Sequence, residues 1–256
     1  MEKSMQEKKI LNFAHRGFSG CYPENTLLAF QKAIEEGADG IETDVHLTRD
    51  GELVLIHDEL VDRTTDGRGY VKDMSYKELT RLDASNGMTE FGLQKIPTLR
   101  EYLELVKDRE LISNLELKTG VFEYPGIEEK VYALLQEYGL TDRVIISSFN
   151  HFSVLRMKEL APEIKCGLLE ESWLIHAGQY AASCGVEYYH PFFQNMTAEH
   201  AAEVKEAGLK INVWTANEEA DIRKMIEIAA DGIISNYPDR VKACIVEGIL
   251  EKEKKV

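Results

Sequence analysis

The chain has 256 residues, 44% of them hydrophobic, and its 45 acidic against 30 basic residues give a formal net charge of −15. A chain of this size and composition can build a large core without disulfides, and so negative a field disfavours a polyanion such as duplex nucleic acid as a partner. The four cysteines, Cys21, Cys166, Cys184 and Cys244, are scattered without CxxC spacing and read as free thiols of a reducing compartment. The opening MEKSMQEKK is charged and leads into no signal-peptide core. No apolar stretch approaches the roughly 18 residues of a membrane span. The expectations are a cytoplasmic protein with no stable membrane insertion, and one domain over residues 1–256. Assembly into homo-oligomers stays open.

In chain order, short apolar runs alternate with longer stretches of helical period. The runs are ILNFAH, GIETDV, LISNLEL, RVIISSF, KCGLLE, VEYYHP, KINVWT and DGIISN. Between them lie helical patterns such as NTLLAFQKAIEEG, GIEEKVYALLQEYG, HFSVLRMKELAPE and NEEADIRKMIEIAADG. Gly37, Gly139, Gly185 and Gly208 close several helical patterns as C-caps. Eight such alternations point to an α/β fold, a parallel sheet closed into a (β/α)₈ TIM barrel. An open doubly wound sheet is the alternative, but no Gly-rich phosphate loop follows the first strand. After the second strand the rhythm breaks. A hairpin turning at Asp50-Gly51 leads to ELVLIHD, and residues 58–97 then form an insertion. SYKELTRLDA within it reads as a short helix with a Ser cap, so a small ordered cap subdomain is expected.

Barrel enzymes carry their chemistry at the C-terminal ends of the strands. There the first strand offers His15 and Arg16. The second offers Glu42 and Asp44, two apart and so on one face; the third offers Glu116 and Lys118 in the same way. His57 arrives by way of the hairpin. Three carboxylates buried together would force at least one to stay protonated unless compensated. A hard divalent cation, Mg²⁺ or Ca²⁺, supplies that compensation through oxygen ligands. Pairing with Arg16 and Lys118 in a metal-free network is the competing reading, and no Cys/His set has zinc spacing.

HRG at 15–17, PENT at 23–26, IETD at 41–44, LTRDG at 47–51, HD at 57–58 and LELK at 115–118 resemble the glycerophosphodiester phosphodiesterase family. VWTAN at 213–217 and DGIISNYPD at 231–239 extend the resemblance over nearly the whole chain. The resemblance implies the barrel with its inserted subdomain, and metal-dependent hydrolysis of small-molecule glycerophosphodiesters to glycerol 3-phosphate and an alcohol. It further implies metal ligands Glu42, Asp44 and Glu116, an acid/base pair His15 and His57, phosphate binding by Arg16 and Lys118, and a substrate wall at Trp214. One departure stands out: the family commonly carries Thr-Asp before the proline after the eighth strand, where this chain has Ser235-Asn236-Tyr237-Pro238.

The residues suit the reaction. Hydrolysis of a diester builds charge on the phosphoryl oxygens, which cations stabilise, while histidine near neutrality can give or take a proton. Which histidine is the acid, and whether water or a substrate hydroxyl attacks, stays open. Glu170, ending the fifth strand, is a candidate further contact to substrate or metal. His46 reads as solvated, and Glu24 as orienting the first loop or capping its helix. His190 reads as either structural or substrate-touching. His151, His176 and His200 read as ordinary helical positions. Cys21 has no adjacent base. Two alternatives remain: a lysophospholipase D-like activity on lipid diesters, and a non-catalytic barrel that binds phosphodiesters.

Overall fold

The computed structural model describes residues 9–253. Eight parallel strands close on themselves in the order β1 (Leu11–His15), β2 (Gly40–Leu47), β4 (Ile112–Leu117), β5 (Val144–Ser148), β6 (Lys165–Glu170), β7 (Tyr188–Pro191), β8 (Lys210–Val213) and β9 (Gly232–Ser235). Pairing of β1 with both β2 and β9 makes the closure, so the open-sheet alternative falls away. The short strand β3 (Leu53–Leu55) runs antiparallel to β2, which is the hairpin expected at Asp50-Gly51. Seven of the eight barrel strands fall inside the apolar runs of the sequence, and β2 runs two residues past GIETDV to Leu47. Strands buried on both faces are apolar over most of their length, so those runs mark them.

Each barrel strand is followed by an outer helix: α1 (Leu27–Glu36), α3 (Leu99–Val106), α4 (Ile127–Tyr138), α5 (His151–Leu160), α6 (Ala177–Ser183), α7 (Ala198–Glu206), α8 (Glu219–Glu227) and α9 (Pro238–Glu253). Thr26 starts α1 by accepting the Ala29 N–H, and Gly37 ends it in the left-handed region at φ 83°. Thr98 and Glu101 start α3 with a reciprocal capping box. The main core lies between the strands and these helices, with Phe30, Tyr102, Leu115 and Leu135 fully buried in it.

Inside the barrel, Phe13, Ile145, Tyr188 and Ile234 form a separate apolar plug. Gly40 makes room for it, since a Cβ there would lie 2.4 Å from the Phe13 ring. The plug fills the barrel interior directly beside the mouth, where Ile234 and Trp214 also line the pocket. Residues 58–97 leave the barrel and carry the short helix α2 (Tyr76–Leu79), capped by Ser75 with Glu78 in a capping box. Val61, Val71, Leu79, Ala84 and Ile96 form a small second core there with Val54 and Ile56 of the hairpin. Among the described residues, no helix is long and apolar enough to cross a membrane.

Candidate active site

Strand register alone assembles most of the mouth. His15 lies beside Glu42 across β1 and β2, and Asp44 lies beside Glu116 across β2 and β4. One carboxylate oxygen from each of Glu42, Asp44 and Glu116 lies within 4.8 Å of the others, and all three residues are buried. His15, Arg16, His57 and Trp214 line the same pocket with Glu42 and Glu116, and Asn114, Phe149, Leu169, Thr215 and Ile234 complete its wall. Lys118 donates to Glu116 at 2.8 Å and stands 3.7 Å from Asp44.

The first loop is shaped by backbone conformation. Arg16 and Gly17 are both left-handed, at φ 54° and 78°, and a Cβ on Gly17 would lie 2.6 Å from the Ala29 carbonyl carbon. This turn aims the Arg16 backbone N–H at Glu42, donating to its Oε2 at 3.0 Å. The Arg16 guanidinium donates to Glu24 at 2.9 Å, with its Nε 3.5 Å from Asp44. Asn25, from the same loop, donates to Asp44 Oδ2 at 2.8 Å and accepts from Thr43 at 2.7 Å. Glu24 thus orients the loop as expected, while the helix cap is Thr26.

The electrostatics follow from burial and neighbours. Burial pushes the Glu42 and Glu116 carboxyls up, and the other carboxylates of the cluster push the same way. Asp44 also resists burial, but the Lys118 ammonium and Arg16 guanidinium outweigh it and hold its carboxyl below the usual range. Burial would lower the Lys118 ammonium; Glu116 and Asp44 raise it instead. His15 is pulled down to about 3 by burial and by the neighbouring Arg16 charge, so it is neutral. Its Nδ1 donates to the Asn236 amide oxygen at 2.5 Å, leaving Nε2 on the pocket side, 3.8 Å from Glu42. His57 Nδ1 donates to Asp58 at 2.6 Å.

A divalent cation fits this arrangement. Asp44 Oδ1 is buried and has no hydrogen-bond partner, an expensive state for a carboxylate oxygen. Three hard oxygen donors converge where cationic side chains satisfy only part of their charge, which is the donor set Mg²⁺ and Ca²⁺ take.

Two expectations need correction. His46 is not solvated: it is fully buried, with Nε2 donating to the His57 carbonyl at 3.1 Å and Nδ1 accepting from the Tyr124 hydroxyl at 2.9 Å. Glu170 is not brought to the cluster. Leu169 takes the inward position of β6, so alternation turns Glu170 away, and its carboxylate accepts the Ser172 N–H at 2.8 Å. His190 is fully buried within the barrel, its Nε2 facing the Asn212 amide at 3.2 Å, and its carbonyl accepts the Trp214 indole N–H at 2.8 Å. His151 contacts Tyr180 and the Leu169 carbonyl, His176 precedes α6, and His200 packs on Trp173. The four cysteines are free. Sequence reasoning missed Asn25, Asp58 and Arg63. The first two lie inside the PENT and HD strings, while Arg63 has no such marker.

Known proteins sharpen the class. Residues 15–240 match the Glycerophosphoryl diester phosphodiesterase family. A glycerophosphodiester phosphodiesterase of Caldanaerobacter subterraneus subsp. tengcongensis is 45% identical over 241 residues, covering 94% of this chain and 99% of its own. One from Bacillus altitudinis is 43% identical over 89% of this chain and 95% of its own. An Oleispira antarctica phosphodiesterase, solved in complex with the product sn-glycerol-3-phosphate, superposes with a TM-score of 0.81 at 32% identity, covering 91% of this chain and 95% of that one. A closed barrel with an acidic, cation-lined mouth and these relatives is a phosphoric diester hydrolase, which sets the binding-only alternative aside. The chain belongs to the glycerophosphoryl diester phosphodiesterase family.

Proposed function

We propose that this protein hydrolyses glycerophosphodiesters to glycerol 3-phosphate and an alcohol, using a divalent cation, Mg²⁺ or Ca²⁺, held by Glu42, Asp44 and Glu116. The observation that carries the reading is the cluster of those three buried carboxylates, of which Glu42 and Glu116 line one pocket with His15 and His57. The cation supplies Lewis acidity and charge neutralisation at the phosphoryl oxygens. Arg16 and Lys118 hold the phosphate between them from two sides of the cluster. Trp214, fixed by its indole bond to the His190 carbonyl and packed edge-on to Phe149 at 5.4 Å between centroids, forms a wall for the glycerol moiety.

His15 enters the reaction neutral, with its proton on Nδ1 by virtue of Asn236, so Nε2 is free to accept one. An anionic diester bound beside it raises its proton affinity. Nε2 of His15 takes the proton of the attacking hydroxyl, and His57, carrying a proton on each ring nitrogen, delivers the one on Nε2 to the leaving alkoxide, which would otherwise depart poorly. Asp58 holds the His57 ring through Nδ1, presenting Nε2 for that transfer.

The test is product analysis with glycerophosphocholine. Glycerol 3-phosphate and choline are expected; phosphocholine and glycerol would place the cleavage on the wrong bond and overturn the reading.

One observation favours a second reading, acyl-bearing substrates. The most exposed large apolar side chains include Val121, Phe152, Trp173 and Ile175 at 59–82% exposure, all just beyond the C-terminal ends of barrel strands. An acyl chain attached to the glycerol would emerge among such loops. Turnover of lysophosphatidylcholine at a rate matching glycerophosphocholine would support it, and turnover confined to the water-soluble diester would dismiss it.

A further inference from the structure

The two histidines sit on different loops, His15 at the end of β1 and His57 after the hairpin, and among the described residues the backbone hydrogen bonds that link these loops run through β2, from Arg16 to Glu42 and from Ile56 to Asp44. Beyond that shared strand, side chains link the two loops directly. Arg63, from the inserted segment, meets both loops. Its Nε donates to Asp58 Oδ2 at 2.7 Å and its Nη2 to Asp58 Oδ1 at 3.0 Å. Its Nη1 donates to Glu24 Oε2 at 2.8 Å and its Nη2 to Glu24 Oε1 at 2.8 Å. One planar fork thus satisfies every oxygen of two carboxylates on two edges, a geometry a lysine ammonium cannot reproduce.

Each carboxylate then continues to a group at the mouth. Asp58 Oδ1 accepts from His57 Nδ1 at 2.6 Å, and Glu24 Oε1 accepts from Arg16 Nη1 at 2.9 Å, one residue from His15. The result is a continuous chain from His57 through Asp58, Arg63 and Glu24 to Arg16. Arg63 itself does not line the pocket. A half-exposed arginine in a single ion pair contributes little. This one instead separates two carboxylates that would repel each other without it, and both are less exposed than it is.

We infer that Arg63 is a positioning residue: it braces the two histidine-bearing loops at the separation that transfer of protons on opposite sides of one phosphorus requires. The inference rests on the assignment of His15 and His57 above. It also gives the inserted segment a part in positioning the catalytic groups, since Arg63 lies near its start.

The experiment compares wild type, Arg63→Lys and Arg63→Ala with glycerophosphocholine, alongside circular dichroism and thermal unfolding. Misplacing catalytic groups by about an ångström can cost on the order of 10²-fold in rate. Arg63→Lys is expected to lose kcat on that order with a smaller rise in KM, because Arg16 keeps its own bond to Glu24 and Lys118 is untouched. Guanidinium ion, added well below denaturing concentrations, is expected to restore part of the Arg63→Ala rate, and methylammonium is not. Near-normal kcat in folded Arg63→Lys, or a loss fully matched by loss of folded protein, overturns the brace alone. Absence of turnover in the wild type overturns the proposed function and the brace with it.

Discussion

His15 Nδ1 and the Asn236 amide oxygen lie 2.5 Å apart, joining the end of the first barrel strand to the loop after the last. The protein thus orients His15 with a neutral amide rather than a carboxylate. Asn236 is itself fixed, its backbone N–H donating to the Asn217 side chain at 2.9 Å.

Asn236→Asp puts a negative charge against the imidazole and favours its protonated form. His15 must be neutral to accept a proton, so the acid limb of the kcat/KM profile should move to higher pH. Asn236→Leu leaves Nδ1 without its acceptor and should cost roughly tenfold in kcat, the scale of one unmade buried hydrogen bond. Superimposable profiles for wild type and Asn236→Asp would show that His15 does not titrate in the rate-limiting protonation.

His15→Ala and His57→Ala should each lose on the order of 10²–10⁴ in turnover, the usual scale for general acid–base catalysis. Metal binding should survive, because neither ring is assigned as a ligand. Calorimetric titration of each variant with Mg²⁺ alongside steady-state kinetics separates the two effects. Near-normal turnover in either variant would remove that histidine from the mechanism.

The carboxylate cluster makes a stability prediction with a definite sign. Glu42 and Glu116 have folded pKa values raised above the ordinary value of 4.5. A raised acid binds more protons in the folded state, so its favourable term is present below 4.5 and is lost as pH rises through the folded value. Metal-free protein should therefore lose thermal stability as pH rises from about 5, and added Mg²⁺ or Ca²⁺ should restore it. Glu42→Gln should flatten the metal-free dependence and shrink the stabilisation by metal. A metal-free protein equally stable across that range would contradict the direction of these shifts.

Much of this was legible in the sequence, for reasons that differ by residue. The barrel strands are buried on both faces and mostly apolar outside the polar positions near the mouth, so short apolar-rich runs mark them. Glu42, Asp44, Glu116 and Lys118 were readable because spacing of two fixes a face and register then aligns neighbouring strands. The same rule placed His46 on the right face but could not give its depth: Tyr124, seventy-eight residues on in sequence, covers it. Glu170 failed by one position, because the inward residue of β6 is Leu169 and a strand end does not announce its parity. Arg63 was illegible for another reason. Its partners Glu24 and Asp58 are set by the tertiary path of the insertion, and a charged residue among charged neighbours carries no periodic signal.

Trp214→Ala should raise KM by comparable factors for glycerophosphocholine, glycerophosphoethanolamine and glycerophosphoglycerol, because it removes contact with their shared glycerol. A pocket that pairs with hydroxyls discriminates strongly against analogues lacking them, so bis(p-nitrophenyl) phosphate should be a poor substrate. An effect confined to one of the three diesters would move selectivity to the leaving-alcohol side.

The most direct test of the metal-centred reading is a turnover assay on rigorously chelated protein, with Mg²⁺, Ca²⁺ and Mn²⁺ added back separately to wild type and Asp44→Asn. Chelated wild type should be inactive towards glycerophosphocholine, at least one cation should restore glycerol 3-phosphate release, and Asp44→Asn should need far more of it or fail to respond. Full activity in wild-type protein shown by elemental analysis to hold no metal would contradict the assignment of Glu42, Asp44 and Glu116.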